Sequence, residues 1–271
     1  MTVFSRTGSK TEIPSSVKSV NVDFDSVDAL TSALKGQDAV VSTLGAFGPH
    51  IQTNVINAAI AAGVSRIIPS EFGSDNTNPK AKALPVYRDK VAAQDFLKGA
   101  AAKGQVTYNL IFNGPILDWG IMVGFIIDAK NQKAELYDGG DVPFSATTGA
   151  SIGQAIVGAL SHPEETKNRP VYVQDAVVTQ NQLIKLAKNL GQNGTWDTKV
   201  VETEGLEQSG YVELGKLVKG EEADPTWPYS FIKRAVWGEG FGGKFPKTDN
   251  ELLGVKGLSE EDISGIIKAF I

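Results

Sequence analysis

The sequence predicts an α/β protein: a doubly wound parallel sheet over residues 1–115, followed by a smaller, mixed α/β substrate-binding lobe over 116–271 that partly returns to the sheet. In the first part, short β-branched runs alternate with segments whose apolar residues have helical spacing. Such alternation is typical of βαβ units, in which consecutive strands are parallel and helices cover both faces of the sheet. Polar or glycine-containing turns follow several runs, and ligands bind at such strand ends.

Five strands are predicted in the first part, and we expect them to lie parallel in one sheet. The second helix is rich in alanine and stops at Gly63, a residue type common just past helix ends. Asp25 is a plausible N-cap of the first helix, and Pro85 occupies a first-turn position of the third. The predicted strands are 2–5, 17–22, 38–44, 64–68 and 106–112, and the helices are 25–34, 51–62 and a segment from Pro85 onward.

The regular alternation of strands and helices ends after residue 120. Short apolar runs then surround the turn Asp138-Gly139-Gly140-Asp141. Shorter strands mixed with helices indicate a second lobe of a different architecture from the first. The predicted strands there are 134–137, 142–144, 171–173 and 195–202, and the helices are 152–160 and 180–190.

Composition excludes several classes of function. The 271 residues carry a formal net charge of −5, which gives no electrostatic basis for binding nucleic acid. There is no cysteine, so disulfides and thiolate chemistry are excluded, and only His50 and His162 are available, so we predict no metal site. No apolar run is long enough to span a bilayer, and the N-terminus lacks the apolar core of a signal peptide. We therefore expect a cytoplasmic protein without a membrane partner.

Residues 63–90, GVSRIIPSEFGSDNTNPKAKALPVYRDK, are the most informative stretch. A short apolar run ends at Pro69, a polar turn follows, and a helix then carries Tyr87 and Lys90. This block resembles the isoflavone reductase-like and NmrA-like branch of the atypical short-chain dehydrogenases, in which a strand ending in PSEFG precedes a helix bearing a lysine that works on the substrate. The resemblance covers essentially the whole chain and is strongest to fungal members, with further similar segments NGPILDWG, LYDGGD, HPEETKNRPVYVQD and NELLG.

The resemblance implies a Rossmann-like domain that binds NADP(H) and an NADPH-dependent reductase that acts on a small aromatic or polyketide-like substrate. Lys90 is the implied catalytic residue and would assist proton transfer. The alternative is that Lys90 is a solvent-exposed helix lysine without a catalytic role. A different class of function stays open: a non-catalytic regulator that senses NADP or binds a protein. A third alternative is a cofactor-free scaffold. A homodimer also stays open.

The same resemblance implies the remaining site residues. Arg6 would hold the 2′-phosphate of NADP, because a guanidinium matches phosphate oxygens, with Thr7 and Lys10 as further donors. A surface turn is the alternative for this segment. Glu71 could instead order its loop, and Tyr87 could simply pack in the core. The other implied cofactor contacts are Thr43, Leu44, Gly45, Phe47, Ser70, Glu71, Phe72, Lys90, Asn113, Gly114 and Pro115, and the substrate pocket would include Phe72, Tyr87 and Trp119.

One feature of the resembled family is missing. Its first βα unit, with a glycine-rich turn that approaches the pyrophosphate, has no counterpart, and residues 2–5 match the family's second strand. Three explanations stay open: an incomplete gene model or trimmed sequence, a sheet closed by direct pairing of the family's second and fourth strands, or a natural protein that lost its cofactor. We expect residues 1–271 alone to bind NADPH poorly or not at all, and to have low stability or to self-associate through exposed sheet edges.

Overall fold

The fold was analysed in a computed structural model, which describes residues 1–6, 8–9, 12–45 and 49–271. The chain forms two compact units, each assembled from separate stretches of sequence. The first comprises Met1–Ser70, Asp89–Leu110 and Thr166–Arg169. The second comprises Glu71–Arg88, Ile111–Glu165 and Pro170–Ile271.

The elements of the first half confirm the predicted alternation of strands and helices. Helix α1 begins after Ser26, whose side chain accepts a hydrogen bond from the backbone N–H of Ala29, so the N-cap is Ser26 and not Asp25. The elements in chain order are β1 (Thr2–Ser5), β2 (Lys18–Asn21), α1 (Val27–Leu34), β3 (Ala39–Val41), α2 (Pro49–Ala61), β4 (Arg66–Ile68), α3 (Pro79–Lys82), α4 (Arg88–Ala102) and β5 (Thr107–Phe112).

The strands lie in more than one sheet, so the prediction of a single sheet is wrong. Strand β1 pairs in parallel with β2, and the four-stranded sheet has the order β3-β4-β5-β8. The pairs β3–β4 and β4–β5 are parallel, as predicted. A doubly wound sheet has one more strand between these two groups, and none of the described residues forms it. Direct pairing of β1 with β3 is therefore also wrong for the described part of the chain.

The second half has the mixed architecture that its sequence predicts. Strand β6 pairs in parallel with β10, whereas β7 and β9 are antiparallel. The remaining elements are α5 (Leu117–Met122), β6 (Lys133–Tyr137), β7 (Phe144–Ala146), α6 (Gly149–Ser161), β8 (Arg169–Tyr172), β9 (Ala176–Val178), α7 (Gln180–Asn189), β10 (Asp197–Val201), α8 (Thr203–Val218), α9 (Trp227–Trp237), α10 (Asn250–Leu253) and α11 (Glu260–Lys268).

The core of the second unit is centred on Trp237, which is fully buried. Its ring centroid lies 4.4 Å from that of Tyr137 and 5.3 Å from that of Phe144. Aromatic pairs at such distances add to the free energy gained by burying their surface. This cluster makes α9 a fixed part of the second unit.

Candidate functional site

In the first unit, the carboxyl ends of β3 and β4 are joined by a hydrogen bond. The Ser70 hydroxyl donates to the carbonyl oxygen of Leu44 at 2.6 Å. Beside Leu44, Thr43 and Gly45 are exposed, so backbone and hydroxyl groups at the end of β3 are accessible. Four of the predicted cofactor contacts, Thr43, Leu44, Gly45 and Ser70, thus lie at one hydrogen bond between neighbouring strands, at the edge where doubly wound sheets bind ligands.

The turn after β1 carries Arg6, which is exposed. Its carbonyl oxygen accepts a hydrogen bond from the backbone N–H of Ser9 at 3.0 Å, and Gly8 has a φ of +80° that favours glycine. Thr7, Lys10 and Phe47, which are also expected to contact the cofactor, lie outside the described residues. The guanidinium is therefore available to an anion, and its role stays a prediction.

In the second unit, the loop after β4 is held against the end of β5. The backbone N–H of Phe72 donates to the carbonyl oxygen of Ile111 at 3.1 Å, and the N–H of Gly114 donates to that of Gly73 at 3.0 Å. Phe72 has a φ of +32°, which is uncommon for a residue other than glycine. Strain of this kind persists where the surroundings impose it and is frequent at ligand sites.

Glu71 is buried in that loop, where its carboxylate accepts a hydrogen bond from the Asn76 side-chain amide at 2.7 Å. This contact agrees with the alternative that Glu71 orders the loop. Tyr87 is buried nearby, and burial raises the pKa of its phenol above the usual value. The Ser74 side chain opposes that increase in pKa and the Glu71 carboxylate adds to it. Tyr87 therefore stays protonated and packs in the second unit.

Asn113, Gly114 and Pro115 follow β5 and are all buried. The Thr147 hydroxyl donates to the Asn113 carbonyl oxygen at 2.7 Å, and the Thr147 N–H donates to that of Pro115 at 3.2 Å. Gly114 has a φ of +62°. The turn is fixed by these contacts and is buried, so contact of Asn113, Gly114 and Pro115 with a cofactor stays a prediction.

Lys90 and Trp119 occupy helices. A short 3-10 turn, Pro85–Tyr87, precedes α4, so Tyr87 and Lys90 do not share one continuous α-helix as the sequence predicts. Lys90 lies in the first turn of α4 and is half-buried. Trp119 lies on α5 with 43% of its surface exposed, which leaves its ring available to an aromatic partner.

No motif in the sequence indicated Gln52, a residue of α2 that is only 9% exposed. Its side-chain oxygen accepts hydrogen bonds from the Ser42 hydroxyl at 2.9 Å and from the Ser70 backbone N–H at 3.0 Å. It thus connects the ends of β3 and β4, as the Ser70–Leu44 hydrogen bond also does. The sequence does not single it out, because α2 carries other polar residues beside it, such as Thr53 and Asn54.

The residues fit one part of a dinucleotide better than the other. Strand ends with accessible backbone and hydroxyl groups suit ribose and nicotinamide. A pyrophosphate prefers a helix N-terminus directly after the first strand, and the described residues between β1 and β2 form no helix.

In the described ranges, no helix combines the length and apolar character that a bilayer span requires.

Comparisons with known proteins agree with this geometry. The NAD(P)H-binding family profile matches residues 1–163. Oxidoreductase poxI of Penicillium oxalicum is 30% identical over 277 residues, covering 97% of this chain and 84% of its own length. The isoflavone reductase of Cicer arietinum is 26% identical, covering 83% and 69% respectively.

Solved structures extend the likeness at the level of the fold. Leucoanthocyanidin reductase of Vitis vinifera in its NADPH complex has a TM-score of 0.73 and 19% identity, covering 98% of this chain and 91% of that one. An isoflavone reductase structure gives a TM-score of 0.70 at 18% identity, covering 100% and 91%. The fold and the family match define a Rossmann-like dinucleotide-binding protein. The chain belongs to the NAD(P)H-binding family, in its isoflavone reductase-like and NmrA-like branch.

Proposed function

We propose that this protein is an NADPH-dependent reductase of small aromatic or polyketide-like substrates, and that it works in the cytoplasm. The observation that carries the proposal is the Ser70–Leu44 hydrogen bond, which fixes the ends of two neighbouring parallel strands in a chain of the NAD(P)H-binding family. Ligands of doubly wound sheets bind at this edge.

Bound NADPH supplies a hydride from its nicotinamide to an electrophilic carbon of the substrate. The substrate oxygen that gains negative charge then needs a proton, and Lys90 is the residue to which we assign it. Lys90 lies in the first turn of α4 and is half-buried, an intermediate exposure that suits a lysine acting at a bound substrate. Glu71 and Tyr87 have no proton-transfer role here; the first orders its loop and the second packs.

Arg6 is the group we assign to the 2′-phosphate, so NADPH should bind more tightly than NADH. The affinity of residues 1–271 should nevertheless be weak, with a dissociation constant of about 0.1–1 mM. The reason is that the glycine-rich turn with which the resembled family approaches the pyrophosphate has no counterpart in residues 1–271.

An aromatic substrate is supported by two facts. Trp119 exposes much of its ring on α5, and aromatic rings stack on such surfaces. A structurally similar reductase was solved with NADP+ and (+)pinoresinol, an aromatic ligand, at a TM-score of 0.70. The test is NADPH oxidation followed at 340 nm over a panel of aromatic ketones, enones and benzylic ethers. Turnover of at least one compound supports a reductase, and no turnover on any of them counts against it.

A non-catalytic regulator is the second candidate, and one observation favours it. Helix α8 exposes four apolar side chains, including Val212 at 61% and Val218 at 82%. Exposed apolar surface of this kind often marks a protein-binding face, and a second copy of the chain could also use it. Sedimentation velocity measures self-association. NADPH binding without turnover on the whole panel would favour the regulator.

A further inference from the structure

Gln52 has a hydrogen-bonding arrangement that its packing alone does not explain. The backbone N–H of Ser70 can only donate, so the atom of Gln52 that faces it must be the amide oxygen. The Ser42 hydroxyl donates to the same oxygen. The orientation of the side-chain amide is therefore fixed by two partners, and its nitrogen is directed away from both.

That nitrogen, Nε2, is buried and has no hydrogen-bond partner among the described residues. A buried amide donor without an acceptor costs free energy, and evolution can remove the cost by a single change to an apolar residue.

We infer that Gln52 is a cofactor-binding residue whose Nε2 donates a hydrogen bond to an acceptor oxygen of the bound dinucleotide. Gln52 contacts both strand ends through Ser42 and Ser70, so a dinucleotide seated on the ends of β3 and β4 brings its acceptor oxygens close to this side chain. Nε2 is covered by protein atoms in this structure, so the contact requires those atoms to move as the cofactor binds. The inference rests on the proposed NADPH-dependent function.

Three variants separate cofactor binding from a purely structural role. Gln52→Glu keeps an oxygen for Ser42 and Ser70 but replaces the donor with a second oxygen. Gln52→Met removes donor and acceptor at similar size. Ser42→Ala removes one partner of the Gln52 oxygen and leaves Nε2 in place. NADPH affinity is measured for all four chains by nicotinamide fluorescence, and the melting temperature without cofactor by circular dichroism.

We expect Gln52→Glu to weaken NADPH binding at least about tenfold, because one hydrogen bond is lost and the carboxylate repels the acceptor oxygen. Its melting temperature should fall as well, since a carboxylate is buried, so affinity is measured well below the melting transition. Gln52→Met should lose affinity and also melt earlier, whereas Ser42→Ala should keep its affinity within about twofold. Unchanged affinity in Gln52→Glu would overturn the inference while leaving the reductase proposal intact. If the wild-type chain itself fails to bind NADPH, the proposed function falls and the inference falls with it.

Discussion

Gly114 lies so close to the carbonyl oxygen of Ser145 that a β-carbon built on it would overlap with that oxygen. Its φ of +62° is also a conformation that other residues rarely adopt. Gly114 belongs to the turn after β5. Its backbone N–H donates a hydrogen bond to the carbonyl oxygen of Gly73, which connects this turn to the loop that contains Phe72. The geometry of this turn therefore depends on a glycine.

Gly114→Ala should destabilise the protein by about 2 kcal/mol or more, because both the backbone conformation and the contact with Ser145 become unfavourable. The melting temperature, measured by circular dichroism, should fall by about 5 °C or more. Gly153→Ala is the matched control. Gly153 is exposed in α6 with open space around its β-position, so alanine should be neutral or slightly stabilising there. Equal melting temperatures for Gly114→Ala and wild type would contradict the account of this turn.

Lys90→Ala should lower turnover by about 10²–10⁴-fold on any substrate that the wild type reduces, because a proton donor is lost. NADPH affinity should change little. Lys98→Ala is the control, since Lys98 lies on the same helix and is exposed, with Asp95 as its ionic partner. Steady-state kinetics tests this: if Lys90→Ala turns over at the wild-type rate, Lys90 is a solvated helix lysine without a catalytic role.

Arg6→Ala should weaken NADPH binding by up to about fivefold, the range expected for one exposed charge pair, and leave NADH binding unchanged. The effect should shrink as salt is added, because mobile ions screen exposed charges. Lys18→Ala, an exposed cation on β2, serves as the control for general electrostatics. Equal losses for both cofactors in fluorescence titrations would argue against a 2′-phosphate contact.

Asn109 is fully buried in β5, and neither atom of its side-chain amide has a hydrogen-bond partner in the described part of the chain. Asn109→Leu should therefore be neutral or stabilising in chemical denaturation, because it removes unsatisfied polar groups at similar volume. The neighbouring Leu110→Ala, a cavity-forming change in the same strand, should cost about 2–5 kcal/mol. If Asn109→Leu costs as much as Leu110→Ala, the amide makes contacts essential to the fold.

The sequence predicts the strands and helices well where one local pattern decides them. The β-branched run before Pro69 becomes β4, and the run before Asn113 becomes β5. The assignment of strands to sheets depends on which strands pair, and these strands can be far apart in the sequence. The separation of the β1–β2 pair from the sheet that contains β3 and β4 was therefore not predictable from periodicity. The N-cap at Ser26 instead of Asp25 shows the same limit at the scale of one residue.

The candidate site was predictable only in part. Loop residues such as Ser70 and Gly114 follow strands, and that position alone indicates a ligand-binding edge. The positive φ of Phe72 arises from the backbone bonds that hold its loop, which no single-residue preference indicates. Gln52 lies on a helix, away from any strand end in sequence, and its importance comes from contacts with Ser42 and Ser70.

The most direct test of the account is a titration of the 271-residue chain with NADPH and, separately, with NADH, followed by nicotinamide fluorescence. The account predicts saturable NADPH binding with a dissociation constant of about 0.1–1 mM and several-fold weaker binding of NADH. Failure of NADPH to saturate at concentrations up to about 10 mM, or equal affinity for the two cofactors, would contradict it.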